Sequence, residues 1–241
     1  MKKKLKITAG CLLFALSLAA FFLSPAFEIN DVTVTGNKKV PAGRIMSCCG
    51  LDGSANYFTF NAGEAVAAVV ASNPYVENVE ITKIFPDKLE INVHERKLSG
   101  YVKYMNETYL YIDDNGKVLE VSGEILESLP VVAGLNFSRF SVGETLDVEN
   151  PGSFSVLVSL SKLFAKYELD GFGIKTVDVS NPEDIHIFVN HIDVELGGIK
   201  DADEKIRTLK EILKNMPDAE NIRGTLNIRK ISKEYVFKAL T

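Results

Sequence analysis

Three histidines, three cysteines and a run of acids are the residues in this 241-residue chain whose types could do chemistry. Their spacing argues against it. His94 alternates with Leu89, Ile91 and Val93, which places it on the polar face of a strand. His186 and His191 flank a predicted strand and turn, but a zinc site needs further ligands that the sequence does not nominate. Cys48 and Cys49 are adjacent, and neighbours in sequence rarely form a relaxed disulfide; one of them reads as a small buried hydrophobe. Asp113-Asp114-Asn115-Gly116 lacks the one-three-five spacing and distant glutamate of a calcium loop and reads as a hairpin turn. Asn106-Glu107-Thr108 fits a glycosylation sequon and reads as a turn as well. There is no Gly-x-Ser-x-Gly, no P-loop and no His-Glu-x-x-His. The expectation is a protein that is not an enzyme and needs no metal or cofactor.

What remains is binding. Glu234, Tyr235, Val236, Phe237, Lys238 and Ala239 form a short strand at the end of the chain, with Tyr235 and Phe237 on one face and Val236 on the other. A terminal strand often lies at a sheet edge, where unpaired N–H and C=O groups can accept a partner strand. Lys230, Lys233 and Lys238 either guard such an edge or attract an acidic partner. The competing reading is that this strand closes its own domain's core.

The elements that must position this strand begin at the N-terminus. The first six residues hold four of the 27 basic groups and no acid, so the remainder carries 23 basic against 32 acidic groups, a formal −9. Such an acidic body argues against a nucleic-acid surface, which needs a basic stripe. Residues 7–27 carry no charge. The spacing predicts a transmembrane helix over 7–23, about 26 Å long at about 1.5 Å per residue, after a cytoplasmic tail of residues 1–6. The basic tail orients the N-terminus inward and the body outward, as a single-pass type II protein of the cell membrane. Two other readings compete: a cleaved signal peptide ending near Ser24-Pro25-Ala26, and a lipid anchor at Cys11.

Beyond this segment the pattern predicts an α+β body. Residues 27–35 read as a strand, Pro41–Met46 as a short helix, and Asn61-Ala62-Gly63-Glu64 as the capping box of a helix ending before Asn73-Pro74. In Asn73–Arg96, Val79 and Ile81, then Leu89, Ile91 and Val93, alternate with polar residues about a turn at Pro86-Asp87. The order β-α-α-β-β forms one small layered domain. After Arg96 the texture is mostly β: Tyr101–Met105, Thr108–Asp113 and Lys117–Val121, then strands near 174–179, 185–189 and 193–196, and finally Thr225–Arg229 and Glu234–Ala239. Two helices interrupt it. One runs over 151–169, capped by Asn150, and one over 202–216, with Asp201 and Glu204 as a capping box. The second presents Ile206, Leu209, Ile212, Leu213 and Met216 on one stripe and leaves Lys205, Arg207 and Lys210 outside.

These residues resemble the FtsQ/DivIB family of bacterial cell-division proteins. Phe27–Asn37 resembles the first strand of the family's POTRA domain. Asn73-Pro74-Tyr75-Val76, Val79, Ile81, Lys83, Phe85-Pro86, Leu89, Ile91, Val93 and Glu95-Arg96 resemble its closing hairpin. Tyr111–Val118, Leu129-Pro130 with Gly134, and Val194–Gly197 resemble the family's β domain. The resemblance implies a POTRA domain over 27–97 and a β domain with two main helices over 98–241. It also implies a bitopic scaffold at the division septum that holds FtsB/DivIC-like and FtsL-like single-span partners and other divisome proteins, and helps regulate septal peptidoglycan synthesis. In the family the last strands receive a strand of the FtsB-type partner. Those positions fall here on Thr225, Leu226 and Arg229 and on Lys233, Glu234, Tyr235, Val236, Phe237 and Lys238. The chain departs from the family at Lys97–Tyr101, where a proline is common, and at Asn227-Ile228-Arg229, where Asp-Leu-Arg is common. The alternative reading is a secreted or membrane-anchored POTRA protein of transport or assembly machinery.

Overall fold

The computed structural model describes residues 2–216, 221–232 and 235–239. The chain divides into two compact units, Met1–Arg96 and Lys97–Thr241.

The first unit opens with helix α1, Lys2–Phe22. It does not meet the expectation of a membrane span: among the described residues no helix is long and apolar enough to cross a membrane. The reason lies in the sequence. Lysines stand at positions 2, 3, 4 and 6, so the uncharged helical stretch runs only from Ile7 to Phe22. It rises about 24 Å, short of a hydrocarbon core of about 30 Å. Thr8, Gly10 and Ser17 dilute it further, and the Ser17 hydroxyl turns back to donate to the Phe14 carbonyl at 2.8 Å.

The rest of the first unit follows the expected β-α-α-β-β order: β1 (Asp31–Thr35), α2 (Ala42–Cys48), α3 (Ala62–Ser72), β2 (Val76–Ile84) and β3 (Lys88–Glu95). Asn61 caps α3 by accepting from the N–H groups of Gly63 and Glu64. β3 is central, parallel to β1 and antiparallel to β2. Its Ile91 and Val93 are buried against Ile45 of α2 and Ala65 and Val69 of α3, while Glu90, Asn92 and His94 face solvent. The alternation read from the sequence is thus the division between a helix-covered face and a wet one.

The second unit contains β4 (Gly100–Lys103), β5 (Tyr109–Ile112), β6 (Val118–Ser122), β7 (Val131–Ala133), α4 (Pro151–Lys166), β8 (Ile174–Asp178), β9 (Ile185–Val189), β10 (Ile192–Gly197), α5 (Ala202–Asn215), β11 (Gly224–Asn227) and β12 (Val236–Ala239). All nine strands form one sheet in the order β12-β11-β10-β9-β8-β7-β4-β5-β6. Residues 151–169 are not one helix: α4 ends at Lys166, Glu168 takes a positive φ of 54°, and Leu169–Gly171 is a 3-10 turn. Leu157, Leu160 and Phe164 of α4 and Ile206, Leu209 and Leu213 of α5 pack with Val177, Ile187, Val194 and Leu226 of the sheet. Each such side chain contributes roughly 1.5–3 kcal/mol by leaving water.

Two details of α5 differ from expectation. Asp201 sits at φ 57° and makes no side-chain cap. Lys205 is not outside but buried, and its ammonium donates to the carbonyls of Leu196 (3.0 Å) and Gly198 (2.9 Å). Gly197, at φ 68°, turns the chain so that both carbonyls face the helix.

Candidate functional site

β12 is the last strand of the nine-stranded sheet and pairs with β11 alone, antiparallel, with Leu226 opposite Phe237 and Asn227 opposite Val236. The expected strand over 234–239 starts at Val236, and the expected strand over 225–229 runs from Gly224 to Asn227. Gly224 makes the pairing possible. A Cβ there would lie 2.4 Å from the Lys238 carbonyl oxygen and 2.5 Å from the Phe237 ring. Only a glycine lets the ring and backbone of β12 come this close.

The side chains of β12 alternate as a strand requires. Tyr235, just before it, and Phe237 are half-buried against the core; Val236, 62% exposed, and Lys238 point to solvent. Two grooves flank the strand. One, of about 570 Å³, lies on the α5 side and is lined by Arg207, Glu211, Ile212, Asn215 and Tyr235. The other, of about 650 Å³, lies on the outward side and is lined by Glu195, Asn227, Arg229, Lys230, Val236 and Lys238.

The connection from β11 to β12 is held by a polar clasp. Arg229 donates to Asp184, and through Nε to Glu195 Oε2 at 3.2 Å; Asn227 donates to the same Glu195 oxygen at 2.5 Å. The hydrogen bond to Asp184, opposed by burial and reinforced by Glu195, raises the Arg229 pKa above its ordinary value. The Asp184 carboxylate also faces His186, at 3.6 Å, whose other ring nitrogen lies 2.8 Å from Asp193. At the far end of the clasp the Ser232 N–H donates to the Tyr235 hydroxyl at 3.1 Å.

The two ends of the sheet differ. At the β6 edge the segment Gly143–Leu146 meets the start of the strand and the turn before it: Gly143 donates to Val118 at 2.7 Å, Val118 to Glu144 at 2.9 Å, and Leu146 to Gly116 at 3.0 Å. Among the described residues no segment covers β12 in this way.

The residues nominated from the sequence therefore divide. Val236 and Lys238 stand exposed on the edge, and Tyr235, Phe237 and Thr225 are half-buried beside it. Leu226 is 1% exposed and belongs to the core. Arg229 is engaged in the clasp. Lys233 and Glu234 lie outside the described residues. The sequence reading missed Glu195, Arg207, Glu211 and Asn215, which reach the site from β10 and α5. The one signal for them was the apolar stripe of α5, whose Ile212 lines the groove. No group of three or more His, Cys, Asp or Glu side chains that could hold a metal occurs among the described residues.

Residues 27–96 match the FtsQ-type POTRA domain, and residues 100–236 match the C-terminal domain of the cell-division protein FtsQ/DivIB. The chain is 29% identical over 216 residues to the cell division protein DivIB of Clostridium botulinum strain Hall, covering 88% of this chain and 83% of that one. It is 32% identical over 120 residues to DivIB of Staphylococcus aureus strain NCTC 8325, covering 49% and 27%. It is 27% identical over 180 residues to the cell division protein FtsQ of Koribacter versatilis, covering 72% and 50%. With more than half its length matched by the C-terminal domain, the chain belongs to the FtsQ/DivIB family of cell-division proteins.

Proposed function

We propose that this protein is a non-enzymatic scaffold of the divisome. It acts at the division septum, recruits FtsB/DivIC-like and FtsL-like partners by strand addition at β12, offers its POTRA domain as a second docking module, and so helps regulate septal peptidoglycan synthesis. The observation that carries this reading is the place of β12 at the end of the nine-stranded sheet, paired with β11 on one side and flanked by two grooves. Open edges of this kind are the structural requirement for β-augmentation, in which main-chain hydrogen bonds supply affinity and flanking pockets supply specificity.

Photo-crosslinking side chains placed at Val236 and Lys238 in dividing cells test it. Both positions are exposed, so the substitutions leave the core intact. The expected product is a covalent adduct with a small division protein, absent when the crosslinker stands at Ser122 on the opposite edge strand. Capture of no division protein from either β12 position overturns the strand-addition reading.

A further inference from the structure

Six aromatic rings meet where α1 ends against the first sheet. Phe27 is buried at their centre, with the rings of Phe21, Phe58 and Phe85 at 5.4, 4.9 and 5.9 Å between centres. Phe22 packs on Phe58 at 4.7 Å, and Tyr57 touches both Phe58 (5.4 Å) and Phe85 (5.7 Å). Most of these pairs are edge-to-face, an arrangement aromatic rings favour. Hydrogen bonds pin the segments that carry them. The Tyr57 N–H donates to the Phe27 carbonyl at 2.8 Å, and the Asn56 amide donates to the Phe22 carbonyl at 3.0 Å. The end of α1, the connection between α2 and α3, and the turn between β2 and β3 are thereby gathered into one surface. Yet this surface is not buried: Phe58 is 43% exposed and Phe85 63%, and Phe21, Phe22 and Leu23 are exposed beside them.

The aromatic patch runs on into α1, whose Leu12, Leu13, Phe14, Leu16 and Leu18 are also exposed. Together with Phe21 and Phe22 these point to all sides of the helix. A groove on a protein partner covers one stripe of a helix. An apolar surface that surrounds a helix and continues onto a rigid cluster of rings is matched instead by a fluid apolar medium. Charge agrees: lysines stand at positions 2, 3, 4 and 6 and no acid precedes Glu28, a distribution suited to anionic headgroups. At the edge of the patch the Lys83 ammonium lies 4.7 Å from the centre of the Tyr57 ring and donates to the Phe60 carbonyl at 3.2 Å. An aromatic ring with a polar tip and a lysine are the side chains that suit the level of lipid headgroups. We propose that this patch is a lipid-contact site of the POTRA-type unit: Phe58 and Phe85 enter the interfacial layer of a phospholipid bilayer beside α1, with Tyr57 and Lys83 at headgroup level. The contact is with the bilayer surface and needs no helix that crosses it. Because Phe58 and Phe85 belong to the folded body, it orients the unit on the membrane rather than merely tethering it.

The chain has no tryptophan, so a single one reports its own surroundings. Phe58→Trp and Phe85→Trp are made in the full chain. His94→Trp, near the other end of β3 and about 20 Å from the turn at about 3.3 Å per residue, serves for comparison. Each protein is mixed with vesicles of phosphatidylcholine and phosphatidylglycerol, and with the same vesicles carrying brominated acyl chains, which quench tryptophan on contact. Emission from positions 58 and 85 should shift to the blue and be quenched; emission from position 94 should do neither. Phe58→Ser with Phe85→Ser should lower vesicle partitioning about tenfold. The loss should be the same at low and high salt, because the contact removed is apolar, and Ile91 and Val93 should keep their amide protection. Quenching at 58 and 85 no greater than at 94 overturns the proposal. So does unchanged partitioning of the double serine variant, which would leave α1 as the lipid-binding element. A blue shift that grows with protein concentration without vesicles also overturns it, in favour of a second copy of the chain covering the patch.

Discussion

At Glu95, the last residue of β3, one carboxylate ties a strand end to the connection between β1 and α2. It accepts from the backbone N–H groups of Lys38 (2.9 Å), Lys39 (2.8 Å) and Val40 (2.9 Å). Burial alone would raise its pKa; the three N–H donors, with the charge of Lys38, outweigh burial and hold it below the ordinary glutamate value. A carboxyl whose folded pKa is depressed adds stability that is present above its unfolded pKa, about 4.3, and is lost as pH falls through the folded value. The first unit should therefore lose stability as pH drops below about 4. Glu95→Gln should cost about 1–2 kcal/mol at neutral pH and flatten that acid dependence, because an amide oxygen is a weaker acceptor and does not titrate. Denaturant melts of both proteins at pH 7 and pH 3 check this; equal pH dependence in the two would remove Glu95 as the cause. Cys49 illustrates the opposite effect at the same scale. Burial first, and the neighbouring Cys48 second, push its thiol up to about 11, so at neutral pH it is a small core hydrophobe, as the adjacent pair suggested in the sequence.

Whether β12 stays in register depends on elements rather than single side chains. The close approach at Gly224 sets it, since a Cβ would press on both the backbone and the ring of the strand opposite. Gly224→Val should displace β12 at a cost of about 1–3 kcal/mol and raise amide exchange in residues 236–239 at least tenfold, while Val194 and Ile187 deeper in the sheet keep their protection. Unchanged exchange at β12 would mean that Gly224 does not set the register. Most strands were legible because their side chains alternate between a packed and a wet face: Leu89, Ile91 and Val93 are the clearest case. The α5 stripe was legible for the same reason at helical period. What escaped the sequence depended on tertiary approach. Lys205 looked like a surface cation until the bend at Gly197 supplied two carbonyls to its ammonium. Asp201 looked like a cap, but it sits at φ 57° and its side chain makes no capping hydrogen bond. In α1 the apolar composition was visible, but the helical stretch free of charge proved too short. At the candidate site the edge strand was visible, whereas the groove walls come from β10 and α5, residues 20 or more positions away that no local pattern connects to it.

For the molecule as a whole, the two buried clusters share no residue. Val40, Ile45, Val69, Val79, Ile91 and Val93 belong to one, and Leu110, Leu160, Ile187, Val194, Leu209 and Leu226 to the other. The division between the units falls between Arg96 and Lys97. Each unit therefore holds its own source of cooperativity, and the full chain should unfold in two steps rather than one. The tyrosines make the steps separable. The chain has no tryptophan, and of its eight tyrosines only Tyr57 and Tyr75 lie in the first unit. Tyrosine fluorescence thus follows mainly the second unit, while far-ultraviolet circular dichroism follows both. Val79 is 4% exposed in the first unit and Leu160 is fully buried in the second. Leu160→Ala should cost about 2–5 kcal/mol and move the fluorescence transition to lower guanidinium concentration. Val79→Ala should leave that transition in place and move only the component seen by circular dichroism. A single transition shifted by both substitutions would show that the two cores unfold as one, and the β12 edge could then not be perturbed without also disturbing the POTRA-type unit.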